Sequence, residues 1–192
     1  MSDEKPKSDK IVMLKNVRIS YPHLFQATQY QGKGDFSYSA AFHVVAGSDN
    51  DKAIRKAIAA QAVGFGKNSA EILKSIEMNS MKFCYLNGVL KDLEDGIWVL
   101  TSKRKQGDGK PLVIDRDPKV TLEPSDGRPY GGCFVNAKVE IYAQTQGTGA
   151  PGIRCGLIAV QFYSDGESFG GASRASAEGF ETVEATEESE FA

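Results

Sequence analysis

From Cys133 to Ala143 the chain alternates without a break. Cys133, Val135, Ala137, Val139, Ile141 and Ala143 are small or apolar, and the residues between them, Phe134, Asn136, Lys138, Glu140 and Tyr142, are aromatic, polar or charged. Only an extended strand, whose side chains point alternately to opposite faces, places the whole first set on one side. Small apolar side chains are also what the interior of a small barrel requires. The chain is therefore expected to be built around strands, with one face of this strand buried.

Other segments repeat the pattern. A first strand begins at Lys10, with Ile11, Met13, Val17, Ile19 and Tyr21 on one face and Asn16, Arg18 and Ser20 on the other. Tyr21-Pro22-His23 is expected to end it, because proline cannot donate to a ladder. After a polar turn over Gln29–Asp35, a second strand covers 36–45, and its Phe36, Tyr38 and Phe42 share a face with Val44 and read as core. Further strands are expected over 81–86, 96–104 and 154–163, with a short extended piece over 112–114. Between Asp49 and Gln61 the period changes: Asp49 or Asn50 can cap a helix whose Ala53, Ile54, Ala57 and Ile58 form one apolar face, stopped by Gly64 and Gly66. A second short helix fits 70–77. The fold class is all-β or β-dominated: an OB-like antiparallel barrel with one or two helices in the connections. Strand counting alone leaves a β-sandwich open.

At 192 residues, with 41 % hydrophobic and 25 % charged residues, the chain suits one domain with loose ends. The expected division is a disordered leader at 1–9, a barrel domain at 10–169 and a disordered acidic tail at 170–192, the tail having too few large apolar residues to offset ordering entropy. No signal peptide or membrane-length apolar run is evident. Cys84, Cys133 and Cys155 sit in apolar strand-like contexts without zinc spacing, and read as buried free thiols.

The net charge of -2 hides a division. Six of the 25 acids (Glu178, Glu181, Glu184, Glu187, Glu188 and Glu190) follow residue 177 with no Lys or Arg among them, so the rest of the chain sets 19 acids against 23 bases, a formal +4. A basic body with an acidic tail suits a polyanionic partner.

Signals of catalysis are weak. There is no G-x-S-x-G, H-E-x-x-H or P-loop, and the Gly-x-Gly pairs at 32/34, 64/66 and 107/109 lack a nucleotide-binding context. Asp92, Glu94 and Asp95, or Asp115 and Asp117, could hold Mg²⁺ in a nuclease, but both clusters lie in polar turns where acids are simply solvated. The expectation is a non-enzyme with no metal and no cofactor.

Signals of binding are stronger. Trp98 leads a strand ending in Lys103, Arg104 and Lys105, where each cation could meet a phosphate. On the outward side of the 133–143 strand, Phe134 and Tyr142 alternate with Asn136 and Lys138. Rings that stack on bases beside cations that follow a backbone are the chemistry of a single-strand binder. The alternative is that Phe134 and Tyr142 pack under the loop 105–128 or against a helix. Tyr30 with Lys33 offers a second ring–cation pair, and Arg154, Arg116 and Arg128 with Tyr130 are further candidates.

Three stretches carry a resemblance: Gly96-Ile-Trp98-Val-Leu-Thr-Ser-Lys-Arg104, Pro111-Leu-Val-Ile-Asp115 and Tyr130-Gly-Gly-Cys133-Phe-Val-Asn136. With Asn16-Val-Arg-Ile-Ser-Tyr21-Pro-His-Leu-Phe25, Gly156-Leu-Ile-Ala-Val-Gln161-Phe and Asp165-Gly-Glu167, the series resembles phage single-stranded-DNA-binding proteins over about residues 10–170. The resemblance implies an OB fold, no enzymatic activity, no cofactor, and a replication or recombination role in the cytoplasm of an infected bacterial host. It assigns no particular DNA-binding residue. The acidic tail then gains a meaning: its carboxylates could compete with DNA for the cationic groove, while Glu187, Glu188, Glu190 and Phe191 recruit replication or recombination proteins. Self-association into a homo-oligomer is left open. The rival expectation is a protein-interaction or virion accessory module that binds no DNA.

Overall fold

The structure, a computed structural model, describes residues 9–170. The tail residues Glu187, Glu188, Glu190 and Phe191, and the leader apart from Asp9, lie outside the described residues. Among the described residues seven strands form one sheet: β1 (Ile11–Tyr30), β2 (Lys33–Val45), β3 (Tyr85–Asn87), β4 (Ile97–Lys105), β5 (Leu112–Ile114), β6 (Phe134–Gln144) and β7 (Gly152–Ser164). Two α-helices, α1 (Asp49–Ala62) and α2 (Ser69–Ile76), lie in the connection from β2 to β3. Around the body the strands run β1, β2, β4, β7, β6 and back to β1, the β4–β7 contact being a parallel pairing at Lys103 and Gly156. That closed order is the OB barrel, and it removes the β-sandwich alternative.

The interior is the period-two set read from the sequence. Val135, Val139 and Ile141 of β6 are fully enclosed, and meet Leu14, Ile19, Phe42, Val44, Leu100 and Leu157 from the other strands. Helix α1 is capped by Ser48, not by Asp49 or Asn50: the Ser48 hydroxyl accepts from the Asp51 amide. The helix lays Ile54, Ala57, Ile58 and Ala62 on the barrel, while Ala53, expected on that face, points to solvent. Gly66, with φ of 81°, breaks the chain between the helices. Asp51 is buried at the base of α1, where burial alone would raise its pKa. Hydrogen bonds from the Gly47 amide, the Tyr85 hydroxyl (2.7 Å) and Arg55 (2.8 Å) outweigh burial and hold the carboxylate below its ordinary range.

Strand β1 corrects the sequence reading in two ways. It does not end at Tyr21-Pro22-His23 but continues to Tyr30, pairing with β6 from Ile11 to Arg18 and with β2 from Arg18 to Tyr30. Its faces also differ from the expected ones: Val12 and Leu14 point inward with Val17 and Ile19, while Ile11, Met13 and Tyr21 are exposed. The cause is an extra residue near Asn16 (φ 52°) and another near Tyr21 (φ 47°), each marked by a register shift. A bulge of this kind flips the phase of every residue beyond it. In β2, Phe36 is likewise not core but 48 % exposed. The strand expected over 81–86 shrinks to β3 plus one bridge between Phe83 and Ile153.

Candidate nucleic-acid interface

Hairpin β1–β2 turns at Gln31 and Gly32, both with positive φ (50° and 68°), which suits the right-handed twist of the two strands. Tyr30 and Lys33 face each other across this turn, and the Tyr30 ring is 69 % exposed. From that tip, the outward side chains of β1, β2 and β4 run up the barrel in rows. Ser37 pairs with Lys105, Ser39 with Lys103 and His23, Ala41 with Thr101 and Ser20, and His43 with Arg18 and Val99. The middle rows are floored by small side chains: Ser37, Ser39 and Thr101 are half-buried, while Ser20 and Ala41 are buried, the Ser20 hydroxyl 3.1 Å from His43 Nε2.

The cations border this floor. Lys103 and Lys105 are exposed on the outer side of β4, and the Lys103 ammonium lies 6.0 Å from the centre of the Tyr30 ring. Lys105 is 3.7 Å from Asp35, and both side chains are largely in solvent, so the contact is a screened surface pair. Tyr21, lifted out of β1 by its bulge, is 81 % exposed between the Ser20 and His23 positions. The groove thus has a small polar floor, two exposed rings and three lysines (Lys33, Lys103 and Lys105).

The other residues singled out in the sequence lie elsewhere. Arg104 alternates to the opposite side of β4 and donates to the Gly109 carbonyl (2.8 Å) and the Asp108 carbonyl (2.6 Å). Trp98 sits at the helix-covered end, 5.3 Å from the Tyr85 ring with the Arg55 guanidinium 4.4 Å from its own centre. Lys138 and Tyr142 are exposed on the outer face of β6, across the barrel from β2. Arg154, opposite Tyr142 on β7, donates to Gln144 (2.9 Å) and to the Met81 carbonyl (2.6 Å). Phe134 is half-buried, with Arg18 5.8 Å from its ring and the Gly166 backbone packed over it. The covering segment is therefore the one after β7, not the loop 105–128. Lys33, Lys103, Lys105 and Tyr30 come together; the rest divide between the β6–β7 face, the helix end and internal hydrogen bonds.

The segment after β7 folds back as a strap. Tyr130 donates to Asp165 (2.9 Å), the Gly166 amide donates to the Tyr130 hydroxyl (3.1 Å), and Arg18 donates to the Glu167 carbonyl (2.7 Å). The backbones approach so closely that a Cβ on Gly132 would lie 2.0 Å from the Glu167 oxygen, and one on Gly166 2.3 Å from the Gly132 oxygen. Tyr130-Gly-Gly and Asp165-Gly-Glu are the two halves of this one latch.

No group of three or more His, Cys, Asp or Glu placed to hold a metal occurs among the described residues. Asp115 is instead paired with Arg128 at 2.6 Å, whose hydrogen bond holds its carboxylate below the ordinary range. Cys84, Cys133 and Cys155 are free and buried, and burial pushes the Cys84 thiol up to about 12.

Residues 10–192 match the family described as Enterobacter phage Enc34, ssDNA-binding protein. The chain belongs to this family. A relative from Acyrthosiphon pisum secondary endosymbiont phage 1, named as protein p50, is 37 % identical over 187 residues, covering 94 % of this chain and 97 % of its own. Among solved structures, the single-stranded-DNA-binding protein of bacteriophage Enc34 in complex with ssDNA matches with a TM-score of 0.65 at 24 % identity, over 85 % of this chain and 91 % of that one. Bacteriophage T7 gp2.5, also a single-stranded-DNA-binding protein, matches with a TM-score of 0.55 at 14 % identity, over 87 % and 98 % of the two chains. At these identities both structures speak for the shared fold alone. Within this Enc34-type chain, the groove residues that sequence reasoning passed over are Tyr21, His23, His43 and the floor of β2. The signal was present in Ser37, Ser39 and Ala41, a run of small outward residues opposite Lys105, Lys103 and Thr101.

Proposed function

We propose that this protein binds single-stranded DNA, largely without sequence preference, along the outer face of β1, β2 and β4. The observation that carries the proposal is the coincidence of an Enc34-type family match with a groove whose small polar floor is bordered by Lys33, Lys103, Lys105, Tyr21 and Tyr30. Bases stack on the rings and phosphates meet the lysines, so affinity depends on backbone charge and π-faces, which every sequence supplies. Lys138 and Tyr142 on the far face are outside this path. In this reading the protein protects single strands during phage replication or recombination in the host cytoplasm. Its acidic tail competes with DNA for the groove and, once displaced, recruits replication proteins through Glu187, Glu188, Glu190 and Phe191. A gel shift with a labelled single-stranded oligonucleotide and unlabelled duplex competitor tests the proposal. Retention of the shift against excess duplex is expected; no shift, or one that duplex removes as readily as single strand, would refute it and leave the protein-interaction module.

A further inference from the structure

One ring on the groove is not accounted for by strand and lysine. Phe169, in the strap after β7, stands with its ring centre 5.2 Å from that of His43, the planes tilted by 30°, and with the Arg18 guanidinium 4.2 Å away. Arg18 and His43 are cross-strand partners flanked by the core residues Ile19 and Phe42, so both point outward. They form the row directly above Ser20, Ala41 and Thr101, in line with His23, Ser39 and Lys103. Phe169 leaves 46 % of its surface in solvent and leans on an imidazole and a guanidinium.

An imidazole face and a guanidinium plane are the surfaces on which a nucleobase stacks. The geometry points to Arg18 and His43 as a nucleobase subsite at the upper end of the groove, occupied by the chain's own Phe169 until DNA displaces it. Up to Glu167 the backbone of the strap is held independently of that ring, by Tyr130 and by Arg18; past it, the Phe169 amide donates to the Gly131 carbonyl (3.1 Å), a bond that opens with the ring. Phe169 can therefore swing away while Asp165–Glu167 stays latched. This inference rests on the single-strand reading and deepens it, placing a plug where the barrel hands over to the acidic tail.

The test compares full-length wild type with Phe169→Ala, using fluorescence anisotropy on a labelled oligothymidylate. The variant is expected to bind about fivefold more tightly or better, since one stacked base is no longer opposed by a ring. Adding His43→Ala to that variant should cancel the gain. A second measurement needs no variant: hydrogen exchange of the Phe169 amide in wild type should speed up when oligothymidylate is added, while the latched Gly166 amide stays slow. Wild-type binding with Phe169→Ala unchanged or weaker, or with exchange of the Phe169 amide unchanged or slowed by DNA, overturns the subsite alone. No binding by either protein overturns the single-strand reading and the subsite with it.

Discussion

Lys103 and Lys105 share a face of β4 because they are two residues apart, and the intervening Arg104 is carried by the same alternation to the opposite side, where loop carbonyls take up its donors. Three consecutive cations in sequence are thus two groove lysines and one structural arginine. Replacing Lys103 and Lys105 with Ala should weaken single-strand binding and flatten its salt dependence by about 0.7 in log–log slope for each phosphate no longer neutralised. The double variant Lys138→Ala/Tyr142→Ala, on the far face, should leave both quantities near wild type. Equal losses in the two pairs would move the binding path to β6. Tyr21→Ala and Tyr30→Ala should each cost roughly 1–3 kcal/mol of binding if their rings stack on bases, measured with fold checked by circular dichroism. His43 adds a pH dependence. Its burial, reinforced by Arg18 and Lys91, lowers its pKa below 6.5. Between the lowered value and 6.5 the unfolded chain binds more protons than the folded one, so stability rises with pH across that window and falls on acidification. Urea unfolding at pH 5 and pH 7.5 should show this difference shrink in His43→Gln.

Elements show how much was legible in the sequence. Strands β4, β6 and β7 were readable because their buried faces alternate with few interruptions, and helix α1 because Ile54, Ala57 and Ile58 keep a helical spacing. Strand β1 was misphased because the positive φ values at Asn16 and Tyr21 insert residues that no hydrophobic pattern announces. That same irregularity produced the most exposed ring of the groove, so the proposed stacking ring and the misphasing have one cause. The latch was also illegible. Tyr130-Gly-Gly and Asp165-Gly-Glu are far apart in the chain, and only the fold shows that their glycines exist to let two backbones touch. Substitution at Gly132 or Gly166 should therefore be costly, roughly 1–3 kcal/mol or more for Gly→Ala, because the new Cβ meets backbone oxygen. Gly131→Ala, whose nearest neighbour would be Pro22 at 3.8 Å, should be tolerated. Thermal unfolding of the three variants separates them, and equal midpoints would dismiss the latch.

At the scale of the whole molecule, the charge division of the sequence acquires a direction. The strap leads the chain across the outer face of β1 and β2, next to Arg18 and His43, and the acidic stretch from Glu178 onward follows it. The proposed competition requires only that this tethered polyanion meet the groove at high effective concentration. Removing residues 178–192 should tighten DNA binding at low salt, and the gain should fade as salt screens both partners. Equal affinity with and without the tail would reject the competition. The barrel itself supplies only shape: a closed sheet with both helices at one end leaves the β1–β2–β4 face around Tyr30, Lys103 and Lys105 open for a linear ligand, with the strap over its Arg18–His43 end. The central claim, that this open face grips single-stranded DNA mainly through its phosphates and rings, is tested most directly by one salt titration. Affinity of the full-length chain for a labelled oligothymidylate, followed by anisotropy from low to high salt, should fall linearly in log–log form. The slope should correspond to several neutralised phosphates and should shrink in the Lys103→Ala/Lys105→Ala variant. An affinity that does not change with salt, or a slope that these two lysines do not affect, would contradict it.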